Sequence, residues 1–195
     1  MSAEKIIVTH TGQVVELRNI QVQDICLADI VHSLPMQCRY NGHCDRFYSV
    51  AEHCIRASWR AFEEGLSPML QMAALLHDAS ETYIGDIVYG VKRLPTLQAE
   101  IASLEVMVNT AICGAFKLPK GIFSHPAIKK IDVEMLTLEM SSLFPAALEP
   151  TVECYGIPTN VEGKTIRPIG DVEVVREVFR DMVFYCMQEK INEQD

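Results

Sequence analysis

At 195 residues, 49% hydrophobic and 22% charged, the chain has the length and composition of one helical domain with a substantial core, not of a disordered or fibrous polypeptide. A formal net charge of −9 argues against a nucleic-acid partner, because duplex binding needs a basic surface that releases counterions. No apolar run reaches membrane-spanning length, the start MSAEKIIVTH lacks a secretory signal's basic head and apolar stretch, and seven cysteines without a CxxC pair predict reduced thiols in a cytoplasmic protein rather than a disulfide framework or zinc ribbon.

Residues 6–17, IIVTHTGQVVEL, place two short apolar runs around a Thr-Gly centre and predict a small β-hairpin with His10 in its turn. From Asp24 to Leu34 the positions Ile25, Leu27, Ile30, Val31 and Leu34 suit a short helix closed off by Pro35. Residues 36–48 lose periodicity and read as an exposed loop carrying Arg39, Tyr40 and His43. Ser49-Val50-Ala51-Glu52 is a capping box, which puts His53 in the first turns of a helix. A further helix is expected from Pro68 through MLQMAALLHDASETYI to Gly85, with Glu81 one turn beyond His77 and Asp78 on the same face.

Residues 97–116 have apolar positions at helical spacing until Leu118-Pro119-Lys120-Gly121 interrupts them. A helix from Pro126 carries Asp132 about two turns in and is expected to stop at Pro145. Residues 149–170, rich in Pro, Gly, Thr and Asn, read as a long surface connection, after which Asp171 caps a final amphipathic helix, Val172 to Ile191. His10, His32 and His125 read as turn, core or capping residues.

Hydrolysis at a transition metal needs imidazole and carboxylate ligands on rigid elements, with a coordination position left open. Here three predicted helices supply His53, the pair His77-Asp78, and Asp132, a set of two nitrogens and two carboxylate oxygens that suits Mn, Fe, Co, Ni or Zn. His77 and Asp78 directly follow AALL, where unpartnered polar groups are costly. On the residues alone, a buried imidazole–carboxylate pair is the alternative.

The order His53, His77-Asp78, Asp132, with 24 residues between the histidines and 54 between the aspartates, resembles the H…HD…D signature of the HD-domain phosphohydrolase superfamily. YSVAEHC (48–54), LLHDASETYIGDIVYGVK (75–92), Arg39-Tyr40 and KKID (129–132) are similar to bacterial 5′-deoxynucleotidases of the YfbR type and, equally, to the compact phage dATP triphosphohydrolases of the DatZ type. Tyr89-Gly90-Val91-Lys92 stands where the nucleotidase pattern reads Thr-Pro-Val-Lys. The similarity spans roughly residues 24–140.

The resemblance implies an all-α HD-domain bundle with a small N-terminal β-hairpin, one domain over 1–195, assembled as a homo-oligomer. His53, His77, Asp78 and Asp132 would hold a divalent Co, Mn or Zn ion, with Mg joining through the phosphate tail. Glu81 and Asp86 would move protons and position water. Arg39 would face the substrate phosphate, Lys92 and Lys129 its tail, and Tyr40 the base, with His43 in the same loop. The expected reaction is hydrolysis of deoxynucleoside triphosphates, dATP first, to deoxynucleoside and triphosphate, controlling the dNTP pool in the cytoplasm, that of a host if the chain is phage-encoded. The alternatives are a 5′-nucleotidase acting on monophosphates and a nucleotide-binding module without turnover. Nucleic acid and membrane are not expected partners.

Overall fold

The computed structural model describes residues 6–144 and 165–192. Strands β1 (Ile6–Val8) and β2 (Val14–Glu16) pair antiparallel with Ile7 opposite Val15, and Gly12 turns the chain between them at a φ of +83°. Helices follow: α1 (Leu27–Met36), α2 (Val50–Glu63), α3 (Pro68–Leu76), α4 (Glu81–Ile84), α5 (Tyr89–Lys92), α6 (Gln98–Ala115), α7 (Pro126–Leu143) and α8 (Val172–Asn192). The fold is therefore all-α with a small N-terminal hairpin, as expected. Among the described residues no helix is long and apolar enough to cross a membrane.

Helix α2 is the hub, packed against α1, α3, α7 and α8. Its small residues Ala51, Ala57 and Ala61 are buried among these neighbours, and Ser58 Oγ donates to the Gln71 carbonyl of α3 at 3.0 Å. Helix α3 is buried continuously from Gln71 to Leu76, which is why its sequence is apolar on every side. Helix α8 closes the bundle with the stripe Val175, Phe179, Val183 and Cys186. It is capped, as expected, by Asp171 Oδ1, which accepts from the backbone N–H groups of Glu173 and Val174. His125 likewise caps α7, accepting from the Ala127 N–H at 3.2 Å.

Four local expectations change. Pro35 lies inside the last turn of α1, where the helix needs only one more residue, so its ring does not stop the helix beforehand. The capping box at Ser49 is half formed: Ser49 Oγ accepts from the Glu52 N–H at 3.1 Å, but the Glu52 carboxylate accepts from Arg56 and from the Ile169 N–H. Residues 36–48 are not simply an exposed loop, since Arg39 and Tyr48 are buried and the chain makes a 3-10 turn over Arg39–Gly42.

The fourth change bears directly on the site. The helix from Pro68 does not run on to Gly85. It ends at Leu76, and tighter bonds spanning three residues carry the chain through His77–Ser80 into α4. The Ala74 carbonyl, which a continuing α-helix would offer to the Asp78 N–H, accepts from the His77 imidazole at 2.7 Å. Of the predicted connection 149–170, residues 165–170 are described. They lie on the bundle as an extended strap, with the Ile166 N–H on Ser142 Oγ, the Arg167 carbonyl on Arg56 and the Ile169 N–H on Glu52. The rest of that connection, and Pro145, lie outside the described residues.

Candidate metal centre

Three elements bring the four predicted ligands together. His53 is the fourth residue of α2, His77 and Asp78 occupy the break after α3, and Asp132 is the seventh residue of α7. His53 Nε2 lies 3.1 Å from His77 Nε2, 3.6 Å from Asp78 Oδ2 and 3.4 Å from Asp132 Oδ1; His77 Nε2 lies 3.4 Å and 3.7 Å from the same two oxygens. Ligand atoms about 2.0–2.2 Å from a common ion would be separated by about 2.8–3.6 Å, so the spacing fits coordination. The His53 side chain is fully buried and that of His77 nearly so, whereas Asp78 and Asp132 keep 23% and 35% of their side chains exposed. The cluster therefore opens to solvent on its carboxylate side.

The other face of each imidazole tells which atoms point inward. His53 Nδ1 lies 2.6 Å from Glu139 Oε1 and His77 Nδ1 2.7 Å from the Ala74 carbonyl. A carboxylate and a carbonyl only accept, so both Nδ1 atoms donate and each neutral ring turns a lone pair on Nε2 toward the other. Two imidazole lone pairs and two carboxylate oxygens then converge, and a cation is what satisfies such a group.

With only protons available, the same preference appears as shifted titration. Burial and the Arg39 guanidinium oppose a charged His53, yet Glu139 and Asp132 outweigh them and its pKa is raised. Burial opposes a charged His77 too, but Asp78 and Cys54 push its pKa well above the ordinary value. Burial would raise Asp132, but its bonds to His53 and His77 hold it well below the usual carboxylate range. The ligand atoms of His53, His77 and Asp132 all lie within 4.8 Å of one another, and the thiol of Cys54, beside His53 on α2, forms a second such set with His77 and Asp78.

Glu139 was not anticipated from the sequence. It is fully buried, and Oε1 accepts from His53 and, at 2.9 Å, from the Tyr48 hydroxyl. Oε2 accepts from the Tyr40 hydroxyl and has Arg39 Nε at 3.2 Å without hydrogen-bond alignment. Burial would raise its pKa, but Arg39 and His53 hold it at about 2. A signal was available, because Ile128, Ile131, Met135 and Leu143 mark the buried stripe of α7 and position 139 falls on it.

Arg39, expected to face substrate, is buried and donates through Nη1 to Asp78 Oδ2 at 3.3 Å while also facing Glu139. The Tyr40 ring packs edge-on against Phe144. Glu81 is buried, its Oε2 has no hydrogen-bond partner among the described residues, and burial, with Asp78 and Asp86 adding to it, raises its pKa well above the carboxylate range. Asp86 is half-buried on the segment after α4, where its backbone N–H donates to Gln37. Lys92 Nζ is 2.9 Å from Glu105 Oε1 and 4.0 Å from Glu81 Oε1. His43 and Lys129 are exposed.

No protein-family model matches the chain. The uncharacterized protein YfdR of Escherichia coli (strain K12) is 34% identical over 181 residues, which cover 87% of this chain and 96% of YfdR. An uncharacterized protein of Rhodobacter capsulatus is 31% identical over 158 residues, covering 77% of this chain and 79% of its own.

Proposed function

This chain belongs to the family of the Escherichia coli protein YfdR, and we propose that it is a metal-dependent phosphohydrolase that cleaves the 5′ phosphoester of a deoxynucleotide. The observation that carries this reading is the convergence of His53 Nε2, His77 Nε2, Asp78 Oδ2 and Asp132 Oδ1 while both imidazole N–H groups point away. The likeness of the H…HD…D order to HD-domain phosphohydrolases supports it. Two imidazoles with two carboxylates suit Mn, Co or Zn better than Mg, which favours all-oxygen shells. An ion held there would polarise a phosphoryl oxygen and acidify a water.

The chain's own residues supply the rest. The buried imidazoles close one side to solvent, so phosphate approaches past Asp78 and Asp132. Glu81, a buried carboxyl with one unpartnered oxygen, provides the proton that the departing 5′ oxygen takes up. Asp86 orients the attacking water and accepts the proton it loses as its oxygen bonds to phosphorus, and Lys92, with its ammonium group between Glu105 and Glu81, meets phosphate oxygens at the rim. Arg39 holds the Asp78 carboxylate in place.

The substrate proposed first is a deoxynucleoside triphosphate, dATP above others, split into deoxynucleoside and triphosphate. A monophosphate is the second reading, favoured by a specific observation. Lys92 is paired with Glu105, and Lys130 lies 3.0 Å from both oxygens of Glu64, which leaves less free positive charge for two further phosphates. Incubating metal-loaded protein with dATP and with dAMP and resolving the products separates them. Triphosphate from dATP supports the first reading; orthophosphate from dAMP without triphosphate from dATP supports the second. Metal-loaded protein that releases neither removes this assignment.

A further inference from the structure

We propose that Glu139 is a positioning residue of the metal centre: one carboxylate fixes His53 as its Nδ1–H tautomer and ties the Arg39–Gly42 turn to the same point. The inference rests on the reading of His53, His77, Asp78 and Asp132 as metal ligands.

A fully buried carboxylate is costly unless its lone pairs and charge are met, and at Glu139 three hydrogen-bonding groups and one ion pair meet them. Oε1 faces His53 Nδ1 and the Tyr48 hydroxyl; Oε2 faces the Tyr40 hydroxyl and the Arg39 guanidinium. The first pair acts on a ligand directly. Because the carboxylate accepts at Nδ1, the His53 proton stays there and Nε2 remains free to coordinate.

The second pair acts at one remove. Tyr40, Asn41 and Gly42 have φ values of +58°, +52° and +74°, so two non-glycine residues are held in the left-handed region. Such a conformation persists only when its surroundings fix it. The Tyr40 hydroxyl on Glu139 and the Tyr40 ring against Phe144 do so. The turn in turn fixes Arg39, whose Nη1 is bonded to Asp78 Oδ2. Glu139 therefore supports two ligands on different elements, His53 by contact and Asp78 through Arg39.

The test compares wild type, Glu139→Gln and Tyr40→Phe in the full chain, titrating Zn²⁺ into metal-free protein and recording imidazole N–H resonances of the ¹⁵N-labelled, zinc-loaded form. Wild type is expected to show a low-field, slowly exchanging His53 Nδ1–H. Glu139→Gln, whose neutral amide oxygen is a weaker acceptor, is expected to move that resonance upfield, to speed its exchange and to bind zinc about 10- to 100-fold more weakly, the usual effect of removing a carboxylate behind a metal-bound histidine. Tyr40→Phe, which keeps the His53 bond, is expected to retain the resonance and weaken zinc by less. Equal zinc affinity in wild type and Glu139→Gln, with the His53 N–H unchanged, overturns the inference. Should Glu139→Gln fail to fold, the other two proteins decide: a fast-exchanging His53 N–H in wild type together with unaltered zinc affinity in Tyr40→Phe also overturns it. Wild type that binds zinc as described yet hydrolyses no deoxynucleotide removes the proposed function and leaves this inference standing.

Discussion

His53 and His77 present lone pairs to each other because each Nδ1–H has an acceptor behind it, a carboxylate for one and a main-chain carbonyl for the other. Of the candidate ligands, His77 and Asp78 were legible as polar residues directly after an apolar run, and His53 and Asp132 through the H…HD…D order. Their supports were less so, because Glu139 acts on His53 from 86 positions away and Arg39 reaches Asp78 across 39, and periodicity carries no information about such pairings. Glu139 was legible only as an acidic residue on a buried stripe, on a helix whose other glutamate, Glu134, is less buried. Glu81 belongs to the same scale, since it lies beside the cluster without being one of its ligand atoms. Glu81→Gln is expected to lower turnover by about 100-fold or more, as loss of a general acid does, while zinc affinity stays within a few-fold. Steady-state kinetics beside a zinc titration checks both, and unchanged turnover would remove Glu81 from proton transfer.

Among the elements, four helix starts are legible because capping is local: Ser49, Pro68, Pro126 and Asp171 mark the starts of α2, α3, α7 and α8, whereas α1, expected from Asp24, begins at Leu27 after a separate 3-10 turn over Val22–Asp24. The break after Leu76 was not legible. ALLHDASETYI has good helical periodicity, and the competitor is a side chain, His77, taking the Ala74 carbonyl. That break moves Asp78 off a regular helical path and brings its Oδ2 to 3.4 Å from His77 Nε2 and 3.6 Å from His53 Nε2. Glu52 shows a similar override. It looks like half of a capping box, yet its buried carboxylate anchors the strap before α8 through the Ile169 N–H and Arg56. Glu52→Ala removes hydrogen bonds to a charged acceptor and is expected to destabilise the fold by about 2–3 kcal/mol. Urea unfolding measures the loss, and faster amide exchange at Ile169 locates it; a variant as stable as wild type would show that the strap holds without Glu52.

At the scale of the whole molecule, α2 and α3 form a buried pair, and the centre sits where that pair meets α7. The all-α class and the hairpin followed from composition and pattern; the layering of α8 over α1, α2 and α3 did not, because a helix's partner is chosen by shape across the chain. The candidate ligands come from α2, the break after α3 and α7, so an ion bound there would clamp these elements together and oppose unfolding. The most direct measurement is therefore a titration of the metal-free chain with Mn²⁺, Co²⁺ and Zn²⁺, followed by calorimetry and thermal unfolding. One ion per chain is expected, with the folded state gaining about 2.7 kcal/mol at a free ion concentration a hundredfold above Kd, and both effects disappearing in Asp132→Asn. A chain that takes up none of these ions and unfolds at the same temperature with and without them would contradict the metal centre.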